Sequence, residues 1–243
     1  MADIIGFRSF VVFDSFNIKP AIYAAAYSTT GVKVLKSTNG SDWFDIKSNI
    51  TGGTSSRSII QYNNKLYMAV MNDGPQEGVP SIVYSSQDPE LEGWTLVTPT
   101  GGQEGKNPIG VVWSMAEFNN RLYLGTASKE GFMVWRTNGR EPKLDDWTLV
   151  IDKGGGDAAN GIAMSLKGFK DYLYVGTAYD VSDYKIYITP KGADIFRVDK
   201  EDKWELIVGG KATIPTESTT GTRGQALSGY KSGFNNPYNI YMW

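Results

Sequence analysis

Two arginines, Arg8 and Arg57, stand at equivalent positions near the start of two short apolar strands. Guanidiniums placed side by side suit a carboxylate or a sulfate, which they hold through paired N–H donors. The competing use is to bridge backbone carbonyls or acidic side chains. Trp113 and Met164 occupy the same position in two further copies, and Arg223 is a third cation whose phase the pattern does not fix. The chain contains no histidine and no cysteine. Ser–His–Asp and Cys–His nucleophile systems, histidine bases, disulfides and structural zinc are thereby excluded. Any catalysis falls to carboxylates, Tyr, Lys, Ser or a hard metal on oxygen ligands, and Glu117 is the acid within this set of strands. Asp180 and Asp183, with Asp194 beyond, match no EF-hand spacing, so neither a metal nor a cofactor is expected. The clusters Gly52-Gly53, Gly101-Gly102 and Gly154-Gly155-Gly156 lack the Lys-Ser/Thr of a P-loop and recur at one phase, as turns do.

The elements that must position these residues repeat. Trp43, Trp94, Trp147 and Trp204 recur at intervals of about 50 residues, which suits stacked sheets around an axis. Upstream of each lies a tyrosine strand: Ile22-Tyr23-Ala24-Ala25, Leu66-Tyr67-Met68-Ala69, Leu122-Tyr123-Leu124-Gly125 and Leu173-Tyr174-Val175-Gly176. Its fourth column is always Ala or Gly, as expected where a bulky neighbour crosses close by. A further strand lies between the tyrosine and tryptophan strands. Another precedes the tyrosine strand, with Ser9, Ser58, Ser114 and Ser165 in one column and Phe13, Tyr62, Phe118 and Phe169 closing it. Asn63-Asn64, Asn119-Asn120 and Lys170-Asp171 supply hairpin turns. The fold expected is all-β: a β-propeller of four-stranded antiparallel blades, strands a to d, in one domain. Its repeats cover about 6–50, 51–100, 101–153 and 154–210, with 211–243 as an irregular closing or partial-blade segment. The Trp and Tyr columns read as inter-blade core.

Residues 236–243 match 107–113, both runs opening on Asn-Pro and ending on Trp. They look like the start of a fifth strand a. Three readings stay open: a piece of a longer propeller, an irregular closing element, or two chains completing one another through Ile240, Tyr241, Met242 and Trp243. The balance of 24 basic against 26 acidic residues, net −2, gives no electrostatic case for nucleic acid or an anionic membrane. No apolar stretch approaches the ~20 residues of a membrane span. No secretory signal opens the sequence, and the compartment stays undecided, extracellular and virion-associated settings included.

Residues Ser37-Thr38-Asn39-Gly40-Ser41-Asp42-Trp43 resemble an Asp-box, the turn between third and fourth strands of BNR-repeat, sialidase-like propellers, with Asn39 in place of the Asp. Arg136-Thr137-Asn138-Gly139 before Trp147 begins another. The similarity runs to about Val208. It implies the propeller fold in a degenerate, non-catalytic form, since such boxes are structural turns. It also implies places for three arginines, an acid/base Asp and a Tyr–Glu pair. Arg8 and Arg57 match two of the arginines; the rest have no clear counterpart.

The function expected is therefore a non-catalytic module that binds a glycan or a protein partner on the face built by the d–a and b–c loops. The ligand-binding residues expected are Arg8, Arg57, Trp113, Tyr179, Tyr184 and Tyr187. The three tyrosines lie in the long loop 179–192, whose truncation is expected to spare folding. The alternatives are a glycoside-active, sialidase-like hydrolase with paired carboxyls, or an assembly protein that docks or self-associates through residues 240–243.

Overall fold

A computed structural model of the chain describes residues 3–15, 18–72, 79–99, 107–179 and 191–243. Antiparallel strands account for nearly all of its regular structure. The first blade holds β1 (Ile4–Ser15), β2 (Ile18–Ser28), β3 (Lys33–Ser37) and β4 (Phe44–Ile46). The second holds β5 (Ile59–Tyr62), β6 (Lys65–Val70), β7 (Ile82–Ser86) and β8 (Thr95–Leu96). β9 (Val111–Phe118), β10 (Arg121–Ala127), β11 (Val134–Thr137) and β12 (Trp147–Ile151) make the third. β13 (Ile162–Phe169), β14 (Tyr172–Ala178), β15 (Ile195–Val198) and β16 (Trp204–Val208) make the fourth. A bridge between Ala127 of β10 and Ile162 of β13 joins the last two blades. The hairpin turns form where the paired polar residues predicted them. Asn63, Asn64, Asn119 and Asn120 all take positive φ between 47° and 59°, as a tight antiparallel connection requires.

The repeated columns have separate packing roles. The closing aromatic of each strand a meets the tyrosine of strand b: Phe13 with Tyr23 at 5.9 Å, Tyr62 with Tyr67 at 5.6 Å, Phe118 with Tyr123 at 5.9 Å and Phe169 with Tyr174 at 6.4 Å. In the first three blades this pair is buried against the next blade. Three apolar cores result, each shared by two neighbours. Tyr23 and Val34 pack with Leu66 and Trp94, Tyr67 and Val83 with Leu122 and Trp147, and Tyr123 and Val134 with Leu173 and Trp204. Burial raises the phenol pKa of Tyr67 and Tyr123, and pushes that of Tyr62 up to about 12, so all three are neutral core groups.

The serine column ties successive inner strands. The Ile59 amide donates to Ser9 Oγ at 3.1 Å, Ser114 Oγ donates to the Ala163 carbonyl at 2.8 Å, and Ser165 Oγ donates to the Met242 carbonyl at 2.9 Å. That crossing explains the small column. A Cβ on Gly125 would lie 2.6 Å from Ser114 Oγ and 2.8 Å from the Ala163 Cβ. Gly125→Val is expected to destabilise the fold by about 1–3 kcal/mol through overpacking, read as a lower urea midpoint. An unchanged midpoint would show that the column is not a crossing point.

Met242 stands to the fourth blade as Ala163 stands to the third. Its amide donates to the Thr177 carbonyl at 3.0 Å, Tyr241 bridges Ala178, and a Cβ on Gly176 would lie 2.8 Å from the Met242 Cβ. Tyr241 and Met242 thus lie beside β14 in the place that an inner strand takes in the other blades.

Candidate functional site

Residues at one phase of the repeat converge on the axis. Arg8, Arg57, Trp113, Met164 and Trp243 line one pocket of about 490 Å³, together with Phe7, Met115, Leu166 and the serines at 58, 114 and 165. Arg8 lies within β1, Arg57 just before β5, and Trp113 and Met164 are the third residues of β9 and β13, so the pocket lies toward the end of the blades that carries the d–a and b–c loops. The Arg57 guanidinium stacks on the Trp113 indole, 3.8 Å from its centroid. Arg8 donates from Nη1 to Ser55 Oγ at 3.0 Å and faces the Tyr27 ring at 5.1 Å. The pocket therefore offers guanidinium donors, indole faces and hydroxyls. Among the described residues that line it there is no Asp or Glu. Glu117, the acid of that strand set, is exposed and stands outside it.

The structure brings Arg8, Arg57 and Trp113 together as the repeat phase required, and it adds Trp243. The match of 236–243 to 107–113 carried that signal, since both runs end on Trp at this column. Tyr179 is placed differently. It is buried against Ala159 and Ile240, and its amide donates to the Ile240 carbonyl at 2.9 Å. It is a packing residue because β14 continues up to it and residues 239–241 run alongside. Tyr184 and Tyr187 lie outside the described residues, as do Asp180 and Asp183.

A second feature had no sequence signature. The segment 209–240 connects β16 to residues 241–243 and crosses the loop face, where it lines a larger cleft of about 1170 Å³. Three buried carboxylates fasten it. Asp152 accepts the Thr219 amide at 3.0 Å and the hydroxyls of Ser218 and Thr219 at 2.5 and 2.7 Å. Asp157 accepts the Thr213 and Ile214 amides, each at 2.9 Å. Asp194 meets Arg223 at 2.7 Å, Lys191 at 3.0 Å, Asn160 at 2.9 Å and Ser232 at 2.5 Å. Arg223 is thus held by Asp194 and does not serve the axial pocket. Lys191 also lies 3.5 Å from Asp157, so truncating 179–192 would remove a charge this network needs, contrary to the expectation that folding is spared.

Burial by itself would raise Asp194, but the Lys191 and Arg223 charges and the Ser232 and Arg223 hydrogen bonds outweigh it and hold the carboxyl below its ordinary value. Asp152 behaves alike: burial opposes ionisation, and hydrogen bonds from Ser218, Thr219 and Thr220 more than reverse it. Lowered native pKa values contribute stability that is complete above the unfolded-state value of about 3.9 and is lost as pH falls through the lower native values. Acid titration should therefore release segment 209–240 below about pH 4, read as new protease cleavage there. Cleavage appearing instead as pH rises from 6 to 8 would contradict this sign.

No protein-family model matches the sequence, and no curated protein matches it. Solved structures do match in shape. The catalytic domain of the Coprinopsis cinerea GH62 α-L-arabinofuranosidase aligns at a TM-score of 0.50 and 10% identity, over 84% of this chain and 68% of that one. A GH43 protein from Bacillus licheniformis aligns at 0.48 and 14%, over 86% of this chain and 44% of that one. A GH43 β-1,3-galactosidase aligns at 0.48 and 9%, over 85% and 78%. At such identities the likeness bears on fold alone, and it agrees with the stacked sheets: the protein is all-β with a propeller-like fold. The arabinofuranosidase domain at 0.50 is a GH62 protein, not a sialidase, and the Asp-box resemblance rests on its turn residues alone, where Asn39 Oδ1 accepts the Ser41 and Asp42 amides, both at 2.9 Å.

Proposed function

We propose that the chain is a glycan-binding β-propeller whose axial pocket receives a sugar ring carrying a carboxylate or sulfate. One observation carries the reading: the pocket pairs the Trp113 and Trp243 indoles with Arg8 and Arg57, without an acid among the described lining residues. Indole faces suit the apolar face of a sugar ring, and guanidiniums suit its anionic substituent. Hydrolysis of a glycosidic bond uses two carboxyls, about 5–10 Å apart across the bond.

The test is titration of intrinsic tryptophan fluorescence with glucuronate, galacturonate and galactose 6-sulfate, against neutral galactose, xylose and arabinose. Acidic sugars should quench and neutral ones should not. Arg57→Gln should weaken binding about tenfold or more, the loss of a charge-assisted hydrogen bond. Equal response to neutral and acidic sugars would overturn the anionic class, and no response to any would overturn the site.

A second reading, a glycoside-active hydrolase, draws its support from the fold shared with the GH62 arabinofuranosidase domain. Turnover of aryl α-L-arabinofuranosides or β-galactosides by the purified chain would put that reading first.

A further inference from the structure

We propose that the axial pocket takes its acidic sugar as a glycoside with an apolar aglycone, an aryl or alkyl group that lies against Met164, Met115 and Leu166. Such an aglycone presupposes the acidic sugar proposed above and fills the half of the pocket that the sugar does not. A backbone irregularity repeated in each blade builds that half. Strand pairing slips by one residue between Phe7–Ala26 and Ser9–Ala25 in the first blade, between Val112–Thr126 and Ser114–Gly125 in the third, and between Ala163–Thr177 and Ser165–Gly176 in the fourth. In the second it slips between Ser55, bridged to Met71, and Ser58, whose carbonyl accepts the Ala69 amide. The residues left over are Arg8, Trp113 and Met164, and Arg57 lies within the same slip. A β-bulge of this kind frees one residue from the ladder and re-aims its side chain. All four line the pocket. The serine after each bulge is constant, at 9, 58, 114 and 165, whereas the bulge residue changes. The repeat therefore keeps the backbone and varies the one side chain that meets the ligand.

That variation divides the pocket. The first two blades bring the Arg8 and Arg57 guanidiniums, and Phe7 is the one large apolar side chain they add. Trp113, with Arg57 stacked on its indole, marks the boundary. Beyond it the third and fourth blades bring Met115, Met164 and Leu166. The serines on that side have already spent their protons, Ser114 on the Ala163 carbonyl at 2.8 Å and Ser165 on the Met242 carbonyl at 2.9 Å. A second sugar ring would leave its hydroxyls unpaired against thioethers and a leucine, which costs affinity. An aryl or alkyl group instead removes apolar surface from water there, and methionine adapts to its shape. The volume of about 490 Å³ lies in the range of pockets that take ligands larger than one ring, roughly 300–1,000 Å³.

Isothermal titration calorimetry tests this with the methyl and phenyl β-glycosides of glucuronic acid, galacturonic acid and galactose 6-sulfate. For the acid that binds, the phenyl glycoside should bind at least about tenfold tighter than the methyl one. The disaccharide that joins the same acid to galactose should bind no tighter than the methyl glycoside. Met164→Gln should bring the phenyl-to-methyl ratio below about threefold, whereas Arg57→Gln should weaken both glycosides and keep the ratio. The ratio is read first on the unaltered chain, so the test does not depend on how well Met164→Gln folds. Equal affinity of phenyl and methyl glycosides overturns the aglycone and leaves the acidic sugar standing, as does a disaccharide that binds as tightly as the phenyl glycoside. A ratio unmoved by Met164→Gln overturns the placement of the aglycone. Absence of binding by all these glycosides overturns the aglycone and the acidic sugar together.

Discussion

Asp194→Ala is expected to destabilise the protein by about 3–5 kcal/mol, the cost of leaving buried charges without their partner. The carboxylate is fully buried and receives Lys191, Arg223, Asn160 and Ser232 together. Without it Lys191 keeps Asp157 at 3.5 Å and the Asn160 amide oxygen, and Arg223 keeps the Gly210 carbonyl at 3.0–3.1 Å and the Gly155 carbonyl at 3.4 Å. These remaining contacts do not offset the desolvation of both cations. The unfolding midpoint in urea should fall steeply, and proteolysis should cut first within 209–240. A concerted replacement, Lys191→Met with Asp194→Leu and Arg223→Met, should be milder than the single change. It removes the desolvated charges together with their attraction. A triple variant less stable than Asp194→Ala would show that the network supplies more than charge balance.

That network also marks where sequence reading reaches its end. The columns of Trp, Tyr, Ser and small residues were legible because each sits at a fixed phase of a repeat, and phase alone tells which blade faces which. The axial position of Arg8, Arg57 and Trp113 followed from the same logic. Asp157, Asp194 and Arg223 occur once each, in loops without a register, and they meet only because 209–240 folds back over the face. Tyr179 shows the same limit from the other side. Within a long polar insertion it resembles a recognition residue, yet a strand running beside it makes it core. Single-copy contacts between distant loops leave no period to read.

The tryptophan column then yields the sharpest contrast between residues that look alike in sequence. Trp204 is buried, stacks edge-on against Phe196 at 5.7 Å and donates from Nε1 to Thr220 Oγ1 at 3.2 Å. Trp204→Ala should cost about 3–5 kcal/mol, because a large ring leaves a cavity its neighbours cannot fill. Trp147, in the core between the second and third blades, should cost a similar amount. Trp43→Ala should cost only about 1 kcal/mol, since its ring packs on the exposed Phe10 and no blade of the described residues covers that pair. The difference should appear directly in thermal or urea unfolding of the three variants. If Trp43→Ala costs as much as Trp204→Ala, the face of the first blade that carries Phe10 and Trp43 is covered in solution, and their exposure is not what sets the difference.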